Sequence, residues 1–304
     1  MKYAIVTMSY KADYEECLLL CESIERFVPL EIPHYIFVND EDVNLFKHLN
    51  SGRRTILPKS VVLPWYLVRI PFRIFGHHFH VSPVSIPVRE WIIQQIVKLS
   101  VWEVIDPQYD IFLNIDSENV FMKPFDIGTI LKNDRLGVFR KAYDGRFVKA
   151  QSQFCSSAKK LLGLAESIEE LLTNDYMASL VGFERNTLMG MCREIGQRHW
   201  SRNYKIALMN TYRFSEYFLY AIYVHFKNAT MLNKHFDLQD SLFPIQKFAD
   251  FRSKEEVNER MKQLLSKDSV YGIFFQKDGV RFRKENSVGF SELKEIVHSY
   301  WNHD

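Results

Sequence analysis

The stretch Tyr109-Asp-Ile-Phe-Leu-Asn-Ile-Asp-Ser-Glu-Asn-Val-Phe-Met-Lys-Pro-Phe125 decides the fold. Its strand-forming run, Ile111, Phe112, Leu113 and Ile115, ends in two carboxylates, Asp116 and Glu118. Residues i and i+2 at a strand end project to one side, so both acids are predicted to aim at one spot. That spot lies at the carboxyl edge of a sheet, where open α/β folds take their ligands. Two hard oxygen ligands there suit Mg2+ or Mn2+ carrying a diphosphate. The competing reading is a pair of solvated acids in a polar turn.

Working outward, Tyr3 to Met8 is a compact apolar run of the kind that forms a buried first strand. Tyr14, Cys17, Leu18, Cys21 and Ile24 then recur at helical spacing, with Pro29 beyond the helix end. His34 to Val38 reads as a second strand that stops at Asn39-Asp40-Glu41-Asp42. Strand, helix, strand in that order implies a parallel sheet. Residues 56 to 88 carry Pro58, Pro64, Pro71, Pro83 and Pro87, which cut the apolar residues into short pieces. An irregular or short-stranded insertion is expected there. Helical spacing returns with Val88, Trp91, Ile92, Ile96, Leu99 and Trp102, and Asp106-Pro107 turns the chain into the acidic strand.

Beyond it, Leu136 to Arg140 reads as the next strand. Helices are expected over about 156–173, 186–196 with Asn186 as N-cap, and 215–226. Short strands near 229–232, 270–275 and 280–283 precede a closing helix from about 291. No repeat or linker divides the 304 residues, so one α/β domain is expected across 1–304, helical from about 150 onward.

Lys and Arg total 39 against 37 Asp and Glu, so no global field draws nucleic acid, and no nucleic-acid partner is expected. Cys17, Cys21, Cys155 and Cys192 read as small core residues in a reducing compartment, not as disulfides or a zinc site. The apolar run at the N-terminus is too short for a signal peptide, and no window reaches a membrane span. A cytoplasmic chain is therefore expected, and the Asn228-Ala-Thr230 sequon carries no weight.

Two helices hold further candidates. In Arg89-Glu-Trp-Ile-Ile-Gln-Gln-Ile-Val-Lys-Leu99, Gln94 and Lys98 lie four apart on one face, beside Gln95. Buried glutamines are costly unless hydrogen-bonded, and sugar hydroxyls or a diphosphate beside Lys98 would satisfy them. Water, or a backbone partner for Gln95, would serve as well. In Tyr212-Arg-Phe-Ser-Glu-Tyr217, Ser215 can cap the helix and Glu216 sits in its first turn. The helix dipole alone accounts for a carboxylate there. The functional reading is a general base, or a group that orients an acceptor hydroxyl.

The ordered set Gln94-Gln95…Lys98-Leu99, Ile115-Asp116-Ser117-Glu118…Lys123-Pro124-Phe125 and Ser215-Glu216-Tyr217…Tyr220 resembles a bacterial family of glycosyltransferase-like proteins found with surface-polysaccharide genes. The likeness runs from the first strand to about residue 226. It implies a GT-A-like (Rossmann-like) fold with a mixed, mainly parallel sheet, flanking helices and a helical, acceptor-side C-terminal half. It implies transfer of a sugar from a nucleotide-sugar donor to a hydroxyl of a glycan or lipid-linked glycan. Capsule, lipopolysaccharide or another surface glycan would be the product. The resemblance gives Glu216 and Asp116 the catalytic roles and places Mn2+ or Mg2+ at Asp116 and Glu118. The family's usual Asp-Ser-Asp reads Asp116-Ser-Glu118 here, so Glu118 would chelate directly or act through water. The loops after the first two strands (Thr7, Ser9, Tyr10; Asn39, Asp40) would hold base and ribose, with Gln94, Gln95 and Lys98 on the donor. His225 or His235 would complete the metal shell, and His235 is the one assigned.

His77-His78-Phe79-His80 matches no closed zinc site and lacks cysteine partners. Arg69 and Arg73 in the apolar 61–75 segment leave open a peripheral contact with the inner face of the cytoplasmic membrane. The prolines argue against a continuous amphipathic helix, so an insertion covering the core is preferred. Two other functions remain. One is a metal-dependent phosphohydrolase on the same acidic edge. The other is a pseudo-transferase that binds nucleotide or glycan without turnover.

Overall fold

A computed structural model describes residues 1–145, 148–227, 233–247, 251, 253–276 and 288–303. The expected strands at 229–232 and 280–283, and the Asn228 sequon, lie outside them. The chain opens with β1 (Tyr3–Met8), α1 (Tyr14–Phe27), β2 (His34–Val38), the single turn α2 (Val43–Phe46) and β3 (Arg54–Pro58). Short strands β4 (Val68–Arg69), β5 (Phe79–Ser82) and β6 (Ser85–Arg89) then form a three-stranded antiparallel sheet of their own. α3 (Glu90–Ser100) leads to β7 (Ile111–Ile115), β8 (Asn119–Phe121), β9 (Leu131–Lys132) and β10 (Arg135–Phe139).

In the second half, the paired strands β11 (Lys141–Ala142) and β12 (Asn174–Asp175) flank α4 (Val148–Leu162) and α5 (Ile168–Leu171). β13 (Leu180–Glu184), α6 (Arg185–Arg198), α7 (Tyr204–Met209) and α8 (Glu216–Ile222) follow. β14 (His235–Leu238), β15 (Ile245–Lys247), α9 (Lys254–Leu265), β16 (Gly272–Gln276) and α10 (Phe290–His303) complete the chain.

The central sheet has the order β13-β7-β1-β2-β3. β7, β1, β2 and β3 run parallel, and β13 closes one edge antiparallel to β7. The fold is thus mixed α/β with a mainly parallel centre. Both faces of that sheet are covered, as parallel sheets require. Along β1, Ala4, Val6 and Met8 join a core shared with α3, α4, α6 and α8, while Ile5 faces Leu20 and Ile24 of α1. β7 splits the same way, with Phe112 on one side and Ile111, Leu113 and Ile115 on the other. The four cysteines are free and buried, Cys155 and Cys192 in the first of these cores and Cys17 and Cys21 in a smaller cluster with Ile36, Val38 and Phe46.

Several expectations change on contact with the fold. The segment assigned to an insertion from residue 56 begins with β3, a fifth central strand that starts at Arg54. Pro58 is tolerated because β3 lies at the sheet edge, where a missing N–H costs no ladder bond. Beyond residue 150 the structure adds β13, which was not expected and enters the central sheet, while the strand expected at 270–275 is present as β16 and pairs with β8. The helix expected over 156–173 is α4 and α5, divided where Gly163 turns the chain at φ +62°. The N-cap before α6 is Glu184, not Asn186; its carboxylate accepts from the Thr187 N–H at 2.7 Å. Leu136–Phe139 forms a strand, but it pairs with β14 and β9 outside the central sheet.

Candidate functional site

α3 packs against the sheet through Ile92, Ile93, Ile96 and Val97. Its Trp91, Gln94 and Lys98 recur at i, i+3 and i+7 and so share a face. Lys98, 5% exposed, sits at the end of that face. Its Nζ donates to Asp116 Oδ1, Glu216 Oε1 and the Tyr217 hydroxyl, each at 2.9 Å. An ammonium has three N–H donors, and all three are used. β7 delivers Asp116, and α8, capped by Ser215 at the Phe218 N–H, delivers Glu216 and Tyr217.

Burial opposes the charge on Lys98, but Asp116, Glu216 and Tyr217 outweigh it and hold its pKa well above the ordinary lysine value. Burial pushes the Glu216 carboxyl up, with Lys98 partly countering it. Tyr217 is raised by burial and then by Asp116. One ammonium between two carboxylates leaves the cluster with a net negative charge. The Asp116 side chain is 36% exposed, against 2% for Glu216, so Asp116 is the member that faces solvent.

The strand stops at Ile115, and Asp116 to Asn119 form a turn closed by the Asn119 N–H on the Asp116 carbonyl at 3.1 Å. This corrects the expectation that Asp116 and Glu118 extend the strand as i and i+2. The Asn119 amide adds a second bond to the same carbonyl at 2.8 Å. β16 pins the turn from behind, where the Phe275 N–H donates to the Glu118 carbonyl at 2.9 Å. Glu118 lies towards the first loop: burial, then Asp13 and then Glu118 push the Tyr10 hydroxyl up to about 12.

At the carboxyl ends of β1 and β2, on the same sheet edge from which β7 leads into Asp116, lies a cavity of about 710 Å³, and neither Lys98 nor any residue of the 116–119 turn lines it. Tyr10 and Asn39 from the strand loops, Gln94 from α3, and Arg69 and Arg73 from the insertion all line it. Asn39 is braced by Lys59 Nζ on its Oδ1 at 2.6 Å and donates to Asp42 Oδ2 at 3.1 Å. Arg69 pairs with Glu41 and with Glu90.

Other expected residues lie elsewhere. Thr7 is buried against His34 Nε2 at 2.9 Å, Ser9 is buried beneath its loop, and the Asp40 carboxylate accepts from the Ser60 N–H. Gln95, 4% exposed, donates to the Trp91 carbonyl at 3.2 Å, which is the backbone partner that the sequence left open. His235, 2% exposed, has its Nε2 at 3.0 Å from the Tyr220 hydroxyl. That hydroxyl also accepts from the Glu184 N–H at 2.9 Å. His225 lies 3.6 Å from Asp237. Of the insertion histidines, His80 approaches Glu90 at 3.7 Å and His78 accepts from Arg73.

Among the described residues, no group of three or more His, Cys, Asp or Glu is placed to hold a metal ion. Mg2+ is commonly held by one or two carboxylates, with substrate phosphates and water filling its shell. The solvent-facing Asp116 and the nearby Glu118 fit that pattern. Sequence reasoning placed Tyr217 in a motif without giving it a role, although it adjoins Glu216, and read Arg69 only as a surface charge. An aromatic hydroxyl next to a buried carboxylate was the available signal for Tyr217.

The architecture is that of a mixed α/β protein with an ammonium–carboxylate cluster and an open cavity at the carboxyl edge of its parallel strands. The chain belongs to DUF6492, a family of unknown function, whose match covers residues 3–261. It is similar to the crystal structure of an active-site mutant of LgtC, with 14% identity, coverage of 97% of this chain and 95% of that one, and a TM-score of 0.45. No curated protein matches.

Proposed function

We propose that the chain is a nucleotide-sugar-dependent glycosyltransferase acting on the hydroxyl of a glycan or lipid-linked glycan, in surface-polysaccharide synthesis. The observation that carries this reading is the 710 Å³ cavity at the carboxyl ends of β1 and β2, on the same sheet edge from which β7 leads into Asp116. Its volume suits a nucleotide and a sugar, and ligands of open α/β sheets bind at this edge. In this reading Tyr10, Asn39 and Gln94 contact the base, ribose or sugar, and Arg69 and Arg73 face the diphosphate.

Asp116 and Glu118 would hold Mn2+ or Mg2+, whose chemistry there is to offset charge on the departing diphosphate. Transfer breaks the bond from the anomeric carbon to the diphosphate oxygen, which leaves with the bonding pair, and forms one to the acceptor oxygen, whose proton passes to the departing diphosphate or to water. Asp116 presents its carboxylate to the open side while Lys98 fixes its orientation. Glu216, buried and committed to Lys98, acts in this reading as a positioning residue that keeps the ammonium charged and in place.

The test is a thermal-shift panel of UDP, GDP, CMP and their sugars, with and without Mn2+. A nucleotide at about 100 times its Kd adds roughly 2.7 kcal/mol of stability. Manganese-dependent stabilisation by one nucleotide, followed by transfer or slow donor hydrolysis, supports the transferase. Silence across the panel with phosphate release from simple esters would favour a phosphohydrolase. Binding with no turnover would mark a pseudo-transferase.

A further inference from the structure

A second cavity, of about 360 Å³, adjoins the first and shares His77, His78, Glu90 and Trp91 with it. Its remaining walls are Arg89, Tyr212 and Arg213. Two features distinguish it: unneutralised positive charge and exposed aromatic faces.

The one carboxylate in its lining, Glu90, is already engaged by Lys59 Nζ at 3.0 Å and Arg69 Nε at 3.5 Å. The two guanidiniums have neutral partners. Arg89 donates to the Tyr212 hydroxyl at 3.1 Å and lies 5.3 Å from that ring. Arg213 donates to Gln153 Oε1 at 3.1 Å and lies over Phe154 at 5.4 Å. No carboxylate pairs with either one among the described residues. Trp91 is 39% exposed and Tyr212 66%, which leaves aromatic surface against which a sugar's apolar face can lie.

The cavity is tied to the reactive cluster through two elements. Trp91 and Lys98 share a face of α3, about 10 Å apart along the axis by helical rise. Arg213 lies three residues before Glu216, in the segment that enters α8.

We propose that this second cavity is the acceptor subsite and that it takes a saccharide bearing an anionic group, a carboxylate or a phosphate. The aromatic faces hold the ring, and Arg89 and Arg213 hold the charge. The assignment rests on the transferase reading, with the donor in the larger cavity.

The experiment measures binding to the full chain by calorimetry, without donor. The probes are methyl glucoside, methyl glucuronide, glucose 6-phosphate and inorganic phosphate. The anionic sugars are expected to bind at least tenfold tighter than methyl glucoside and inorganic phosphate. Preference between the uronate and the sugar phosphate then tells which anion the site takes. Arg89→Gln with Arg213→Gln should abolish that advantage, and Tyr212→Ala should weaken all sugars alike. If the double variant fails to fold, Arg213→Gln alone is expected to remove most of the advantage. Equal binding of neutral and anionic sugars, or an advantage that survives these substitutions, overturns the proposal, as does phosphate binding as tightly as the sugars. The nucleotide panel is run separately on the same variants. Nucleotide stabilisation without the anionic preference therefore sinks the acceptor subsite alone, whereas loss of both in the unaltered chain sinks the transferase reading.

Discussion

Lys98 Nζ on α3 stands 2.9 Å from Glu216 Oε1 on α8, across 118 residues of sequence, and the same ammonium reaches Asp116 at the end of β7. The two helices and the central strand are thereby tied at one charged point inside an apolar core. Removing one partner from a buried pair leaves an uncompensated charge and costs about 3–5 kcal/mol. Lys98→Met is expected to lose stability in that range in urea unfolding. A cost under about 1 kcal/mol would show that the cluster is solvated.

Glu216→Gln keeps an oxygen acceptor for Lys98 but removes the charge. Altering a group that orients a ligand-binding carboxylate costs on the order of 10–100-fold in affinity or activity. Transfer, or donor hydrolysis, should fall by that factor with donor KM changed far less. Glu216→Ala should unfold more readily than Glu216→Gln. An unaltered rate in the glutamine variant would reduce Glu216 to a helix-capping acid.

Asp116→Asn should abolish the manganese-dependent part of nucleotide stabilisation while leaving the basal melting temperature within a few degrees. Glu118→Gln should weaken the same response less if Glu118 acts through water, and equally if it coordinates. Full manganese dependence in the Asp116 variant removes the metal assignment.

His80 gives a pH dependence of stability. Burial, then Arg69, Lys59 and His78, hold its pKa down to about 4, against the opposing pull of Glu90. The unfolded chain therefore takes up this proton first as pH falls. The contribution of His80 is complete above about 6.5 and is lost between there and about 4, amounting to about 3 kcal/mol at most. His225, also held to about 4 by burial and Arg140, acts in the same direction. Unfolding free energy measured from pH 7.5 to 4.5 should fall less steeply in His80→Gln than in the unaltered chain. Parallel curves would show His80 to be as accessible to protons folded as unfolded.

Gly272 lies where β16 crosses behind the acidic turn. A Cβ there would stand 2.2 Å from the Val120 carbonyl oxygen and from the Phe243 ring. Gly272→Ala should cost about 3 kcal/mol, the upper end of ordinary overpacking, because backbone cannot yield as a side chain can. Gly52→Ala, with open space around it, should stay within about 0.5 kcal/mol. Equal stabilities in urea would mean that β16 shifts freely and does not pin the Glu118 turn.

Local pattern was enough to specify β1, α1, β2, α3 and the approach to β7. Their apolar residues repeat at the strand or helix period, and each element buries what its own sequence makes apolar. The position of Asp116 and Glu118 was visible for the same reason, since acids directly after a buried run stand at a sheet edge. β3 and β13 were not legible. Arg54 enters β3 buried because it pairs with Glu25 from α1, and Pro58 is harmless only at an edge. Gly182 interrupts the β13 pattern, yet Leu136 of β10 approaches to 2.8 Å of where a Cβ would sit. The partners of Lys98 were likewise undecidable from spacing, since the three acceptors come from two elements remote from α3. Periodicity sets which face of an element is apolar. Only packing, which brings residues distant in sequence within 3 Å, decides which buried charges meet.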